Sequence, residues 1–190
     1  DFGKWNSKKP FARIEDKYIE VPKTELNIET PDKANAIFLA GCNLQIKDSD
    51  PEYAAMVMGN YILGGGFLNS RLATRIRQKE GISYGVGSMF SADALDKSGN
   101  FTVYAIYAPE NRDKLEKAFK EEIGKMLNEG FTAKELEDAK SGILQSRKVN
   151  RSQDNSLANS LNRYNFLNRN FTFDEELDKK LSTLTVEELN

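Results

Sequence analysis

Residues Gly64–Val86 read GGGFLNSRLATRIRQKEGISYGV, and the rest of the chain is organised around them. A triple glycine leads into a helical segment carrying Arg71, Arg75 and Arg77. Leu68, Leu72 and Ile76 recur every four residues, which places them on one helix face, with Arg71 and Arg75 on another. Gly81 stands where a left-handed cap is expected, because a residue without Cβ adopts positive φ cheaply. A strand then starts near Tyr84. Arg77 and Tyr84 therefore fall on adjacent elements, from which both can point at a common space.

Working outward, Asn35–Ile46 (NAIFLAGCNLQI) is apolar on both faces and reads as a central, covered strand. Its lone cysteine, Cys42, reads as a small buried thiol. Ser49-Asp50-Pro51-Glu52 reads as a helix start, with Asp50 as cap and Pro51 at the first helical position. Tyr84–Ser91 and Asn100–Ala108 read as a hairpin. Asn111–Glu129 is an amphipathic helix with Leu115, Ala118, Phe119, Ile123, Met126 and Leu127 on its stripe, ended by Gly130. Thr132–Glu135 and Thr185–Glu188 are capping boxes. Between them lie helical stretches carrying Leu157, Leu161, Tyr164 and Leu167, and Asp174–Leu181. Strands first and helices after predict an α+β fold, a two-layer sandwich with helices on a mostly antiparallel sheet.

The 190 residues suit one domain. Residues 1–10, rich in Lys, Asn and Ser, read as a linker with Trp5 as a docking residue. Residues 11–190 read as the domain, with short extended stretches over Phe11–Glu29 and a final helix cut short at Asn190. A net charge of −2 supplies no field for nucleic acid. Arg147, Lys148, Arg151, Arg163 and Arg169 read as a solvated face of a helix pair. No apolar run is long enough to insert in a membrane. The glycines are not a phosphate loop: no Lys-Ser/Thr comes after them, and a helix precedes them where such a loop needs a strand.

N-S-R-L running into I-R-Q-K-E-G-I-S-Y resembles the C-terminal, non-zinc-binding domain of the M16 zinc metallopeptidases, the family of pitrilysin, insulin-degrading enzyme and mitochondrial processing peptidase. Glu29–Ala36, Asp50–Tyr53, Gly99–Phe101 and Gly130–Thr132 before Glu135-Leu136 are similar to that domain in the same order. The resemblance runs from about Phe11 to Leu189. It implies the M16 and LuxS-like metallohydrolase fold.

The family's zinc site is an H-x-x-E-H helix with a distant glutamate, and this chain contains no histidine. Zinc is therefore expected in the parent enzyme, on a catalytic half that is fused or separate, and this chain alone is expected to be inactive. The resemblance implies that Arg77 and Tyr84 reach that half across a closed chamber to bind peptide substrates and stabilise the transition state, Tyr84 as an oxyanion donor. Glu80, three residues on, is expected to orient Arg77. Arg71 is expected to fix its helix to neighbouring loops. The competing expectation is a structural or assembly subunit with no role in proteolysis. A bacterial periplasm or cell envelope is the expected setting.

Overall fold

A computed structural model describes residues 3–4 and 6–190, so the docking role read for Trp5 lies outside the described residues. The sheet has three antiparallel strands, β1 (Ala36–Leu44), β2 (Ser83–Ala92) and β3 (Gly99–Tyr107), in the order β1-β3-β2. Among the described residues six α-helices come after the sheet or interrupt it: α1 (Tyr53–Asn60), α2 (Arg112–Glu129), α3 (Ala133–Arg151), α4 (Asp154–Leu167), α5 (Thr172–Thr183) and α6 (Val186–Leu189). Met58, Leu63, Leu72, Ile76, Leu115, Leu136 and Leu181 from the helical layer meet Val86, Val103 and Ala105 from the sheet in one core. The expected α+β two-layer arrangement is present.

The central strand is β3, and β1 is an edge strand, contrary to the sequence reading. The apolar run of β1 is divided between two faces by the two-residue alternation. Phe38 turns toward the core, while Ile37 and Leu39 are 67% and 69% exposed beside Ile106 and Tyr104 on the opposite face. Apolar residues on both faces do not require a covered strand when one face of the sheet carries no second layer. Cys42, on the same edge strand, is exposed and not the buried thiol expected.

Residues 11–29 are irregular and pair with no strand among the described residues. They are fastened at a few points. Arg13 and the Asp16 amide bond the Asp96 carboxylate, and Asn43 Nδ2 donates to Ile19 O at 2.9 Å.

Three helix details also differ. α1 begins at Tyr53, and the Asp50 carboxylate accepts from Lys47 N at 3.1 Å without capping the helix. Leu127 is 75% exposed, whereas Glu122, on the preceding turns of α2, is buried. α4 buries none of its residues, and Leu157 and Leu161 face solvent. The capping boxes at Thr132–Glu135 and Thr185–Glu188 form as expected.

The triple glycine does its work by close approach. α1 continues as a π-wound turn over Tyr61–Gly65 that packs against β2. A Cβ on Gly64 would stand 2.4 Å from Ser88 N and 2.5 Å from Ser88 Oγ, so no larger residue fits unless helix and strand part. Ser88 Oγ completes the contact by donating to Asn60 Oδ1 at 2.8 Å. Gly124 on α2 has nothing within 4 Å of the same added atom. Gly64→Ala should therefore lower the unfolding free energy by about 1–3 kcal/mol through overpacking. Gly124→Ala should raise it by about 0.5–1 kcal/mol through helix propensity. Urea denaturation of the two variants measures both, and a Gly64→Ala protein as stable as the parent chain would contradict the close contact.

Candidate functional site

The helix that carries the three arginines is wound as a π helix over Ala73–Lys79. A 3₁₀ turn, Phe67–Asn69, precedes it, and that turn takes Leu68 off the helix face shared by Leu72 and Ile76. Leu72 and Ile76 are fully buried, while Leu68 is partly exposed. Gly81 has φ +65°, the left-handed conformation expected of it, and Ile82 N then bonds back to Ile76 O at 3.1 Å.

Tyr84 sits at an irregularity in the ladder. Ser83 pairs with Tyr107 and Gly85 with Ile106, so Tyr84 has no partner on β3. This is a bulge, which re-aims the side chain of the extra residue. Ser83 locks it: its hydroxyl donates to Ile106 O at 2.6 Å and accepts from Gly85 N at 3.2 Å. The Tyr84 ring is left 64% exposed.

Arg77 is half-buried on the π helix, and its guanidinium lies 6.0 Å from the centroid of the Phe67 ring. Phe67 has φ +53°, an unusual conformation for a bulky residue. Among the described residues no carboxylate forms an ion pair with Arg77, and no hydrogen bond joins it to Tyr84. The two sit on elements that pack against each other, the π helix and β2.

The Arg77–Glu80 pair expected from sequence does not form. Glu80 bonds Arg75 instead, because five residues complete a π turn where three or four complete an α turn. Arg75 also reaches Glu121 on α2 at 2.6 Å and lies 3.8 Å from the buried Glu122. Nothing in the hydrophobic pattern signalled the π winding or Glu122.

Arg71 does what was expected of it. Its Nε and Nη2 donate to the two Glu135 oxygens at 2.6 and 2.8 Å, and Nη2 also donates to Gly130 O at 2.8 Å. The guanidinium stacks 4.7 Å over the Phe131 ring. One side chain thus ties the π helix to the turn between α2 and α3.

Of the basic residues read as a solvated face, Lys148 and Arg163 are exposed, but Arg147, Arg151 and Arg169 are internal partners. Arg147 pairs with Asp174 and Asp178, Arg151 with Asp178 at 2.5 Å, and Arg169 with Asp48 at 2.7 and 2.8 Å. Burial and the bond to Asp174 together push the Tyr164 hydroxyl pKa well above its ordinary value.

An open cleft of about 1160 Å³ lies between the π helix, α2 and α3, walled by Arg71, Arg75, Gln78, Glu122, Lys125 and Glu129. Neither Arg77 nor Tyr84 borders it, and its charges are of both signs. Among the described residues no group of three His, Cys, Asp or Glu side chains could hold a metal ion. No helix there is long and apolar enough to cross a membrane.

A family model described as the peptidase M16 inactive domain matches residues 2–143. The chain is 29% identical over 161 residues to a Helicobacter pylori protein named non-peptidase homolog YmxG, covering 84% of this chain and 36% of that one. It is 29% identical over 140 residues to a Bacillus subtilis protein named uncharacterized zinc protease YmxG, covering 73% and 33%. The chain thus spans about a third of the length of these curated relatives. Among solved structures, a peptidase M16 inactive domain from Pseudomonas fluorescens superposes with a TM-score of 0.68 at 31% identity, over 82% of this chain and 36% of that one. The Escherichia coli periplasmic protease PqqL shares the fold at a TM-score of 0.64 and 20% identity, over 83% of this chain and 17% of that one.

The Arg71 fork also makes a pH prediction. The Arg71 guanidinium, helped by the Thr132 amide and hydroxyl, holds the Glu135 pKa at about 2, down from an ordinary value near 4.5. A depressed carboxyl pKa contributes stability that is fully present above the unfolded value and disappears as pH falls through the folded one. The contribution should therefore be lost between about pH 4.5 and about pH 2. Urea midpoints across that window should fall more steeply for the parent chain than for Glu135→Gln. Parallel curves would show that the fork contributes nothing through this titration.

Proposed function

The chain belongs to the inactive-domain family of the M16 peptidases, and on that footing we propose that it is the non-catalytic C-terminal domain of a zinc metallopeptidase, forming part of a peptide-enclosing chamber and lending Arg77 and Tyr84 to the working site. The observation that carries this is the bulge at Ser83–Gly85, which leaves the Tyr84 phenol projecting from the strand without a ladder partner. Arg77, on the helix packed beside that strand, is an arginine without a carboxylate partner among the described residues.

These are the properties the role needs. A phenol hydroxyl held outward can donate to the oxygen that gains negative charge as a peptide bond is attacked. A guanidinium with free donors can grip a substrate backbone carbonyl with its planar fork. The residues here do not fit zinc, so the metal is assigned to an H-x-x-E-H half, on the same polypeptide or a partner subunit. The name zinc protease carried by the Bacillus subtilis relative supports that assignment. A periplasmic or cell-envelope setting belongs to the same proposal, supported by the description of the Escherichia coli structure.

A second reading has one observation in its favour: the Helicobacter pylori relative is named a non-peptidase homolog. Under that reading the fold is a scaffold, and Tyr84 and Arg77 are surface residues.

The full-length, zinc-loaded parent acting on a quenched fluorescent peptide separates the two. Tyr84→Phe removes one oxyanion donor and should cost about 10²–10³ in kcat with zinc still bound. Arg77→Ala should lower kcat/KM as well. Unchanged kinetics in both variants would leave the scaffold reading in possession.

A further inference from the structure

The winding of the helix that carries Arg77 is written in the order of three charges. Arg75, Lys79 and Glu80 read R-x-x-x-K-E. In an α helix, Arg75 would stack over Lys79, four residues on, and like charges at that spacing repel. In the π helix, five residues close the turn, and Arg75 meets Glu80 instead. The backbone keeps the same spacing, with Glu80 N donating to Arg75 O at 3.2 Å. Glu121 on α2, at 2.6 Å, and the buried Glu122, at 3.8 Å, hold the same guanidinium from the neighbouring helix. Gln78 Nε2, donating to Leu68 O at 2.6 Å, fixes the other side of the turn.

We propose that Arg75 and Glu80 are positioning residues whose ion pair selects the π winding of Ala73–Lys79, and through it the direction of Arg77 and the start of the strand that carries Tyr84. A π turn holds one residue more than an α turn. Rewinding it would rotate the residues beyond the turn by about 100°, the angle of one α-helical residue. Arg77, inside the rewound turn, would shift from its place over Phe67, and Gly81, beyond it, would reach the left-handed turn out of phase. For its effect on turnover the inference rests on the role proposed above for Arg77 and Tyr84; for the winding it rests on geometry alone.

The test is the charge swap K79E/E80K. It keeps composition and net charge, alters two exposed side chains, and moves the favourable pair to the α spacing. Its first readout, on this chain, is the through-hydrogen-bond NMR coupling from the backbone amide at position 80. It should report Arg75 C′ as acceptor in the parent chain and Ile76 C′ in the swap. Its second readout is peptide turnover by the full-length, zinc-loaded parent. There the swap should lower kcat by up to about 10²-fold, as misplacement of a site residue can, and cause no further loss on an R77A background. A coupling that stays with Arg75 in the swap overturns the inference, as does an equal loss on both backgrounds. If R77A alone changes nothing, the functional reading fails instead, and the coupling still decides the winding.

Discussion

The Arg71 fork adds a directional polar tie between parts of the chain that otherwise meet through the shared core and the Arg75–Glu121 pair. The π helix has no covalent neighbour in the α2–α3 hairpin, yet Arg71 bonds both Glu135 oxygens and the Gly130 carbonyl, and stacks on Phe131. Glu135 serves two tasks at once. It closes the capping box of α3 by accepting from Thr132 N at 2.8 Å, and it takes the guanidinium on the same carboxylate. A bidentate arginine pair of this kind fixes orientation as well as distance, which a lysine at the same place would not. The position of Arg77, six residues along the same helix, is set from this anchor.

On the far side of the π helix, Gly64 allows the preceding turn to touch the β2 backbone. The Arg71 clamp ties the π helix to the turn between α2 and α3, and the Gly64 contact ties the preceding π turn to the sheet. Leu72 and Ile76 are fully buried in the common core. Beside these contacts Tyr84 is exposed and Arg77 is half-buried.

Much of this was legible in the sequence. The hairpin, the long helices, the two capping boxes, the left-handed Gly81 and the structural role of Arg71 each have a local chemical signature, and each appeared where it was read. What was not legible depends on information that no local pattern carries. The apolar run Ala36–Leu44 is the same whether its strand is central or at an edge; only the strand order decides. The stripe of α2 placed Leu127 inside and missed Glu122, because the partner of Glu122 is Arg75 on a distant helix. Glu80 was matched to Arg77 by α spacing, and the π winding assigned it to Arg75. Arg147, Arg151 and Arg169 read as solvated because their acidic partners, Asp48, Asp174 and Asp178, are distant in sequence.

The edge position of β1 has a practical consequence for anyone handling this domain by itself. Among the described residues, nine residues of strand present a row of backbone donors and acceptors with no neighbouring strand on one side, next to exposed Ile37 and Leu39. Such an edge is a template for a second strand. A second copy pairing on this edge would come close to Cys42, an exposed free thiol on the same strand. Reducing buffer and low concentration are conditions that this one strand imposes.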